Sequence, residues 1–213
     1  PTTAWSSFTS TPRASRSPFI HTGSMFSGKT SSLEKEVKRF MIAGYRTVAF
    51  KPSVDNRVPT SEIVTHDKTS LEGILVDDIG QILKHCEEGN PEVVAIDEVQ
   101  FLGGEIEDII QGVNSLLSKN ITVIVAGLDI DFSGRPFEIL KELMPIADYL
   151  NKHHAVCVKC GTDAWVSHRK TKERERVVIG ATKEYEPLCR SCFLKEKKKE
   201  EAIVNKNQVT FIE

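Results

Sequence analysis

Apolar residues recur at intervals of mostly three and four in three stretches of the chain, and this spacing predicts amphipathic helices. The first stretch covers residues 30–43 and ends before Gly44, a residue type that commonly stops helices. The second follows Asp78, a typical capping residue, and the third covers residues 105–117. The apolar residues are Leu33, Val37, Phe40 and Met41 in the first, Ile79, Ile82 and Leu83 in the second, and Ile106, Ile109, Ile110, Val113, Leu116 and Leu117 in the third.

Short, continuous apolar runs alternate with these helices and predict strands at residues 47–50, 93–96 and 121–126, with residues 63–65 as a further candidate. The run at 93–96 has no polar residue, as expected for a strand buried on both faces. Before Gly23 only Phe19 and Ile20 are apolar, so we expect the strand there to be short or irregular.

This alternation of strands and helices predicts an α/β fold with a parallel sheet covered by helices. Ligands of such sheets bind beyond the carboxyl ends of the strands. We therefore expect the chemistry just after Ile20, Ile96 and Ala126.

Length and composition agree with a globular chain of one large domain, or of one domain plus a small module. The chain has 213 residues, of which 39% are hydrophobic and 27% charged, and these values exclude a disordered or collagen-like protein. No apolar stretch approaches the roughly 20 residues of a membrane span.

Charge is distributed unevenly. The formal net charge of −2 gives no support to bulk nucleic-acid binding, but residues 1–150 carry −7 and residues 151–213 carry +5. Residues 1–17 contain nine Ser or Thr and no acid, and we interpret them as a disordered arm or a leader. The run KEKKKEE at residues 195–201 is typical of a solvated helix face or a tail.

Residues 23–30 read GSMFSGKT and fit the phosphate-loop pattern G-x-x-x-x-G-K-[ST] at every fixed position. The two glycines allow backbone N–H groups to turn toward phosphate oxygens, Lys29 supplies a positive charge, and Thr30 supplies a hydroxyl to Mg²⁺. The N-terminus of the following helix faces the same anion. The pattern predicts nucleotide phosphate binding, and the alternative is an incidental glycine-rich turn.

Two carboxylates, Asp97 and Glu98, directly follow the predicted strand at residues 93–96. A carboxylate here can hold Mg²⁺ through water, opposite Thr30. Phosphoryl transfer to a hydroxyl can also use a base, and Glu98 would project away from Asp97 if strand geometry continued. Because ATPases use the same pair to activate water, the pair indicates nucleoside triphosphate chemistry without naming the acceptor. The alternative is two solvated acids.

Four of the five cysteines form two C-x-x-C pairs separated by 28 residues, Cys157 with Cys160 and Cys189 with Cys192. Four thiolates are a preferred ligand set of structural Zn²⁺, and a reducing cytosol favours metal over disulfides. Redox-active pairs are the alternative, although the chain lacks a thioredoxin-like pattern. We interpret Cys86 as a core thiol, and His153 and His154 as surface residues rather than ligands.

Together and in this order, these motifs resemble type II thymidine kinases, the cellular and bacterial thymidine kinase family with a zinc-bound lasso domain. The resemblance covers residues 18 to about 193. It rests on the segments GSMFSGKT (23–30), FKPSVDNR (50–57), VTHD (64–67), IDEVQF (96–101), AGLDIDFSGRPF (126–137), AVCVKCG (155–161) and YEPLCRSC (185–192).

The fold that this resemblance implies is a RecA-like P-loop α/β domain at residues 18–150, with helices on both faces of the sheet. A zinc-binding lasso domain at residues 151–193 and a charged tail at 194–213 would follow. Structural Zn²⁺ would pin both ends of the lasso, a long loop at about residues 161–188 with little apolar content of its own.

The activity that the resemblance implies is ATP- and Mg²⁺-dependent phosphorylation of the 5′-hydroxyl of thymidine. Glu98 would be the catalytic base. The residues that would bind ATP and its metal are Gly23, Ser24, Met25, Phe26, Ser27, Gly28, Lys29, Thr30, Asp55, Arg57 and Asp97. The residues that would bind thymidine are Met25, Gln100, Phe101, Phe132, Val178, Ile179, Gly180 and Tyr185.

Among the thymidine-binding residues, the aromatic side chains would form the walls of a thymine pocket. The lasso would close over the base and read it with backbone groups near Val178, Ile179 and Gly180. Without the resemblance, the alternative is that Phe101 and Phe132 are simply core residues and that Tyr185 packs on the zinc site.

The resemblance further implies a cytoplasmic homotetramer inhibited by thymidine triphosphate, with no nucleic-acid or membrane partner. One alternative is a nucleic-acid-binding ATPase with a zinc ribbon, which the basic second part of the chain favours. Against it, the basic residues alternate with acids and lack an aromatic stacking set. Another alternative is a nucleotide kinase with a zinc lid, but the chain lacks arginines arranged around a monophosphate.

Overall fold

Six parallel strands form the central sheet of the computed structural model, which describes residues 17–53, 62–64, 70–171 and 184–209. In chain order the first eight strands are β1 (Pro18–Gly23), β2 (Thr47–Pro52), β3 (Glu62–Val64), β4 (Ser70–Glu72), β5 (Ile74–Val76), β6 (Val93–Ile96), β7 (Thr122–Gly127) and β8 (Tyr149–His153). The sheet order is β5-β2-β6-β7-β1-β8, while β3 and β4 form a separate antiparallel pair.

Helices cover both faces of this sheet. They are α1 (Lys29–Ile42), α2 (Ile79–Gly89), α3 (Ile106–Ser118) and α4 (Glu138–Leu143). Val93 and Ala95 of β6 pack with Leu33 of α1 on one face, whereas Val94 and Ile96 pack on the other face with residues of α2, α3 and α4. This alternation follows from the two-residue period of a strand, and it explains why β6 contains no polar residue.

A smaller unit follows β8. It contains the antiparallel strands β9 (Val166–Arg169) and β10 (Tyr185–Leu188) and the helix α5 (Arg190–Val209), which crosses the boundary predicted between residues 193 and 194. Its own apolar core includes Ala155, Cys157 and Leu188. We call this unit, from Ala155 to the start of α5, the cysteine module.

The predicted α/β fold and its main elements are confirmed. The first and third predicted helices begin and end within one residue of their predicted positions, and the second begins directly after Asp78, as predicted, and ends at Gly89. The carboxylate of Asp78 caps α2 by accepting a hydrogen bond from the N–H of Gln81 at 3.0 Å, and Gly44 follows α1 with a φ of 86°. Among the described residues, no helix combines the length and the apolar character that a membrane crossing needs.

The expectation of a short or irregular first strand was wrong. β1 has six residues and lies between β7 and β8 in the sheet. Its polar residues are buried because they have partners. The hydroxyl of Thr22 donates to the carbonyl of Gly127 at 3.1 Å, and Nδ1 of His21 lies 3.1 Å from Nε2 of His153.

Packing between α2 and α3 gives a stability prediction. A Cβ at Gly112 of α3 would lie 2.3 Å from Cγ1 of the buried Ile79. Overpacking of this kind costs about 1–3 kcal/mol, whereas alanine gains roughly 1 kcal/mol over glycine inside a helix. We therefore expect Gly112→Ala to lower the urea midpoint of unfolding.

The matched control is Gly89→Ala in α2, because a Cβ there meets nothing within 4 Å. This variant should keep or raise the midpoint. Equal midpoints for the two variants would contradict the packing described here.

Candidate active site and metal centre

The phosphate-loop motif connects β1 to α1 at the carboxyl edge of the sheet. Gly23, Phe26 and Gly28 have positive φ angles of 136°, 64° and 83°. At Gly23 a side chain is excluded, because a Cβ would lie 2.1 Å from the carbonyl oxygen of His153 at the end of β8. The tight turn brings the chain directly into the N-terminus of α1, which Gly28 caps. Such an N-terminus is a ready anion site.

The side chain of Lys29 is held inside this loop. It is buried, and its ammonium donates to the carbonyl oxygen of Ser24 at 2.9 Å. The hydroxyl of Ser27 donates to the same oxygen at 2.7 Å. The loop therefore carries a fixed positive charge next to the helix N-terminus.

Thr30, in the first turn of α1, meets Asp97 at the end of β6. The hydroxyl of Thr30 lies 3.2 and 3.1 Å from the two carboxylate oxygens of Asp97. Burial, with a smaller contribution from the charge of Glu98, raises the pKa of Asp97 to about 7. A divalent cation between the hydroxyl and the carboxylate would favour the charged form, so the pair fits a Mg²⁺ position.

Glu98 lies in a turn rather than in a continued strand. β6 ends at Ile96, and Glu98 has left-handed backbone angles, with φ of 49° and ψ of 41°. Strand geometry therefore does not continue through Glu98, and the opposite projection of the Asp97 and Glu98 side chains expected from it does not apply. Instead, the N–H of Glu98 donates to the carboxylate of Asp97 at 3.0 Å.

Gln100 connects the side chain of Glu98 to the end of β7. Its amide nitrogen donates to the carboxylate of Glu98 at 2.5 Å, and its amide oxygen accepts from the N–H of Leu128 at 3.0 Å. Gly127 leaves room for the Gln100 amide, because a Cβ at Gly127 would lie only 2.7 Å from the amide oxygen of Gln100. Gln100 thereby links the carboxylate of Glu98 to the chain just after β7.

Two of the predicted aromatic residues lie near each other. Phe132, half-buried, follows β7, and Tyr185, buried, begins β10. The guanidinium of Arg169 lies 3.8 Å from the centre of the Phe132 ring and donates to the hydroxyl of Tyr185 at 2.9 Å. Phe101, also half-buried, ends a short turn after Glu98. In the sequence, Arg169 was considered only as one of the basic residues in the second part of the chain.

The cysteine module contacts the phosphate loop directly. The N–H of Met25 donates to the hydroxyl of Ser167 on β9 at 2.8 Å. The ring of Phe26 packs against the apolar core of the module. The loop predicted to hold phosphates and the hairpin predicted to cover the base are therefore neighbours.

The four paired cysteines come together as predicted. Their sulfur atoms all lie within 4.8 Å of one another. Four sulfurs about 2.3 Å from one tetrahedral zinc ion would be about 3.8 Å apart, so the group fits such an ion with little movement. The N–H of Cys192 donates to Sγ of Cys189, and this contact lowers the pKa of Cys189 to about 6. A thiolate at this position suits a metal ligand.

The remaining cysteine and the two nearby histidines do not belong to this group in the described part of the chain. Cys86 is 5% exposed in the main core, where burial raises its pKa to about 11, as expected of a core thiol. His153 was expected at the surface, but it is half-buried against His21 because β1 and β8 pair in parallel at this point.

Comparison with known proteins identifies the family. The profile of the family described as thymidine kinase matches residues 19–193. A thymidine kinase of Bacteroides thetaiotaomicron is 44% identical over 81% of this chain and 84% of its own, and one of Rhodothermus sp. is 43% identical over 80% and 78%. The chain belongs to the thymidine kinase family. The resemblance inferred from the sequence motifs is thus confirmed.

Within this family frame, part of the predicted site lies outside the described residues. Asp55 and Arg57, which were predicted near the phosphates, are among the residues not described. So are Val178, Ile179 and Gly180, whose backbone groups were predicted to bind the base. The described residues bring the phosphate loop, the two acids, Gln100, Phe132 and Tyr185 to one edge of the sheet. The roles assigned to them remain predictions.

Metal content gives a direct prediction. We expect the purified protein to contain one zinc ion per chain by elemental analysis, and we expect Cys192→Ala to lose it. Loss of the ion should release the small core of the module and change the fluorescence of Trp165, which packs there.

The matched control is Cys86→Ala, which removes a thiol in the main core and should retain the zinc. Equal zinc contents in the two variants would contradict the proposed ligand set.

The buried histidine pair gives a pH prediction. Burial, with a smaller contribution from His153, lowers the pKa of His21 to about 4, so the folded chain keeps His21 neutral where the unfolded chain protonates it. The resulting stability is present above about pH 6.5 and is lost as the pH falls toward 4. We expect the free energy of unfolding to fall less between pH 6.5 and pH 4 in His21→Asn than in the wild type, by up to about 3 kcal/mol.

The control is His85→Asn, which removes an exposed histidine of α2 and should leave the slope as in the wild type. The same slope in His21→Asn and wild type would contradict the burial of a neutral imidazole.

Proposed function

We propose a division of labour among the residues at the sheet edge of this thymidine kinase, in which Glu98 accepts the proton of the 5′-hydroxyl of thymidine. As a family member, the enzyme phosphorylates thymidine, and its phosphate loop indicates ATP as the donor. The observation that carries the assignment is the carboxylate of Glu98. It is held by Gln100 and is adjacent to the Thr30–Asp97 pair.

In this proposal the phosphate loop binds the β- and γ-phosphates through its backbone N–H groups. Lys29 adds a fixed charge at the same place, and the helix N-terminus adds a partial one. Thr30 and Asp97 would hold Mg²⁺, which offsets negative charge on the phosphates. Asp55 and Arg57 would approach the phosphates from the neighbouring loop, as the family resemblance implies.

The transfer itself makes one bond and breaks one. The 5′-oxygen of thymidine attacks the γ-phosphorus, the bond from that phosphorus to the bridging oxygen breaks, and ADP leaves. The hydroxyl proton passes to Glu98. Because the N–H of Glu98 binds Asp97 and its side chain binds Gln100, the base keeps its position as charge develops.

Thymine recognition is proposed for the surface between the phosphate loop and the cysteine module. Phe101, Phe132 and Tyr185 would form its walls, and Met25 would lie near the base. Backbone groups at residues 178–180 would match the donor and acceptor pattern of the thymine edge. A cytosine base would leave some of these buried groups unpaired and would be rejected.

We also propose feedback inhibition by thymidine triphosphate, because this end product combines the base and the phosphates that the two halves of the site would bind. A homotetrameric assembly and a cytoplasmic location are further proposals that rest on the family resemblance. A reducing compartment agrees with four cysteines arranged as metal ligands rather than as disulfides.

The base assignment is tested by Glu98→Gln, which keeps the hydrogen-bonding shape and removes the proton acceptor. We expect the kcat for thymidine to fall by at least about 100-fold, in line with typical acid–base contributions, while ATP binding is retained. Product formation is followed by mass spectrometry with thymidine and with deoxycytidine.

The control is Glu105→Gln, an exposed glutamate just before α3, which should leave kcat unchanged. An unchanged kcat in Glu98→Gln would remove Glu98 from this role. Wild-type enzyme that phosphorylates deoxycytidine but not thymidine would overturn the substrate assignment.

A further inference from the structure

The two faces of β9 have different partners. Ser167 faces the phosphate loop, where its hydroxyl binds the N–H of Met25. Val166 and His168 face the opposite way, toward Phe193 of α5. By the two-residue period of a strand, Arg169 lies on the same face as Ser167. Its side chain therefore extends on the same side of β9 as Ser167 and meets the ring of Phe132, which Lys197 of α5 also approaches at 6.0 Å.

Arg169 connects two separate parts of the chain. Phe132 belongs to the loop after β7, and Tyr185 begins β10 beyond the lasso. The guanidinium lies 3.8 Å from the centre of the Phe132 ring and donates to the hydroxyl of Tyr185 at 2.9 Å. The Tyr185 ring is itself 5.4 Å from the guanidinium carbon. One side chain thus contacts both aromatic residues.

Both contacts require an arginine. A guanidinium is planar, so it can lie over a ring and still donate in its own plane to a hydroxyl at its edge. An ammonium offers a point charge and cannot lie flat on one ring while orienting a second. Arg169 is 3% exposed, so both contacts are made away from water, where they are strongest.

The position of this arginine in the hairpin adds a second reason. Arg169 and Tyr185 are directly opposite in the antiparallel register, and the N–H of Lys170 donates to the carbonyl of Glu184 at 2.8 Å. These pairs close the base of the segment that contains residues 178–180. The same guanidinium therefore links the ends of the lasso to the loop that carries Phe132.

We infer that Arg169 is a positioning residue that sets the spacing and orientation of Phe132 and Tyr185 as walls of the thymine pocket. This inference rests on the proposed function, in which those two rings bind the base. It predicts that Arg169 acts on thymidine affinity more than on phosphate transfer, because the contacts described for its guanidinium are with the rings of Phe132 and Tyr185 and with the Tyr185 hydroxyl.

The test is Arg169→Lys, which keeps the charge and loses the planar fork. We expect the KM for thymidine to rise at least about tenfold, since a charge-assisted hydrogen bond and a cation–π contact are each of that order. The KM for ATP and the kcat should change less than about threefold on the same reasoning. Zinc content and the melting temperature are measured on the same preparations.

Two further variants separate positioning from general stability. Arg190→Lys is the matched control, because Arg190 lies 4.0 Å over the ring of Trp165 on an exposed part of the same module. It should leave the KM for thymidine unchanged. Tyr185→Phe removes the hydroxyl that Arg169 orients, so its effect and that of Arg169→Lys should overlap rather than multiply in the double variant.

A KM for thymidine that stays unchanged in Arg169→Lys overturns the inference. The proposed function is judged separately, by thymidine turnover of the wild type and its loss in Glu98→Gln. Equal losses for ATP and thymidine, or fully multiplicative effects with Tyr185→Phe, also overturn it. Wild-type enzyme without thymidine turnover overturns both. A rise confined to the KM for thymidine, absent in Arg190→Lys, supports the positioning role.

Discussion

Parallel pairing of the central strands is the constraint on which the site depends. Because β6, β7, β1 and β8 run in the same direction, their carboxyl ends meet at one edge of the sheet. The phosphate loop follows β1, the two acids follow β6, the Phe132 loop follows β7, and the cysteine module follows β8. Residues far apart in sequence therefore become neighbours without long connecting loops.

At this edge the phosphate loop lies against the end of β8 and against the cysteine module. The absence of a side chain at Gly23 lets β1 pass the carbonyl of His153, and two residues later the N–H of Met25 binds Ser167. The apolar core of the module is small and includes Cys157, so we expect the module to depend on a metal held by its four cysteines. In the proposed mechanism, the metal centre supports the thymidine site through the hairpin and contributes no chemistry of its own.

Local patterns predicted much of this arrangement. The phosphate loop, the capping residue Asp78 and the buried run of β6 each follow from residue type and spacing. β8 was not predicted because its sequence, Tyr-Leu-Asn-Lys-His, lacks the apolar pattern of a strand with a buried face. The strand lies at the edge of the sheet and pairs only with β1. The full length of β1 was missed because the buried partners of His21 and Thr22 come from β8 and β7, which no local pattern reveals.

The candidate site divides in the same way. Sequence motifs identified Glu98 and the four cysteines. The contact of Arg169 with Phe132 could not be predicted in this way, because the two residues are 37 positions apart and only the fold brings them together. Gln100 was noted only through the family resemblance, and its contacts on both Glu98 and Leu128 became clear in three dimensions. The left-handed turn at Glu98 could not be read from a strand-like sequence, because it follows from the hydrogen bond that its N–H makes to Asp97.

In the proposed mechanism, one edge of the sheet holds both substrates with Glu98 between them. A crystal structure with thymidine and a non-hydrolysable ATP analogue tests it most directly. We expect the 5′-oxygen within hydrogen-bond reach of the Glu98 carboxylate, the base between Phe132 and Tyr185, and the terminal phosphate at Lys29. A base bound elsewhere, or a 5′-oxygen that faces another side chain with Glu98 turned away, would contradict it.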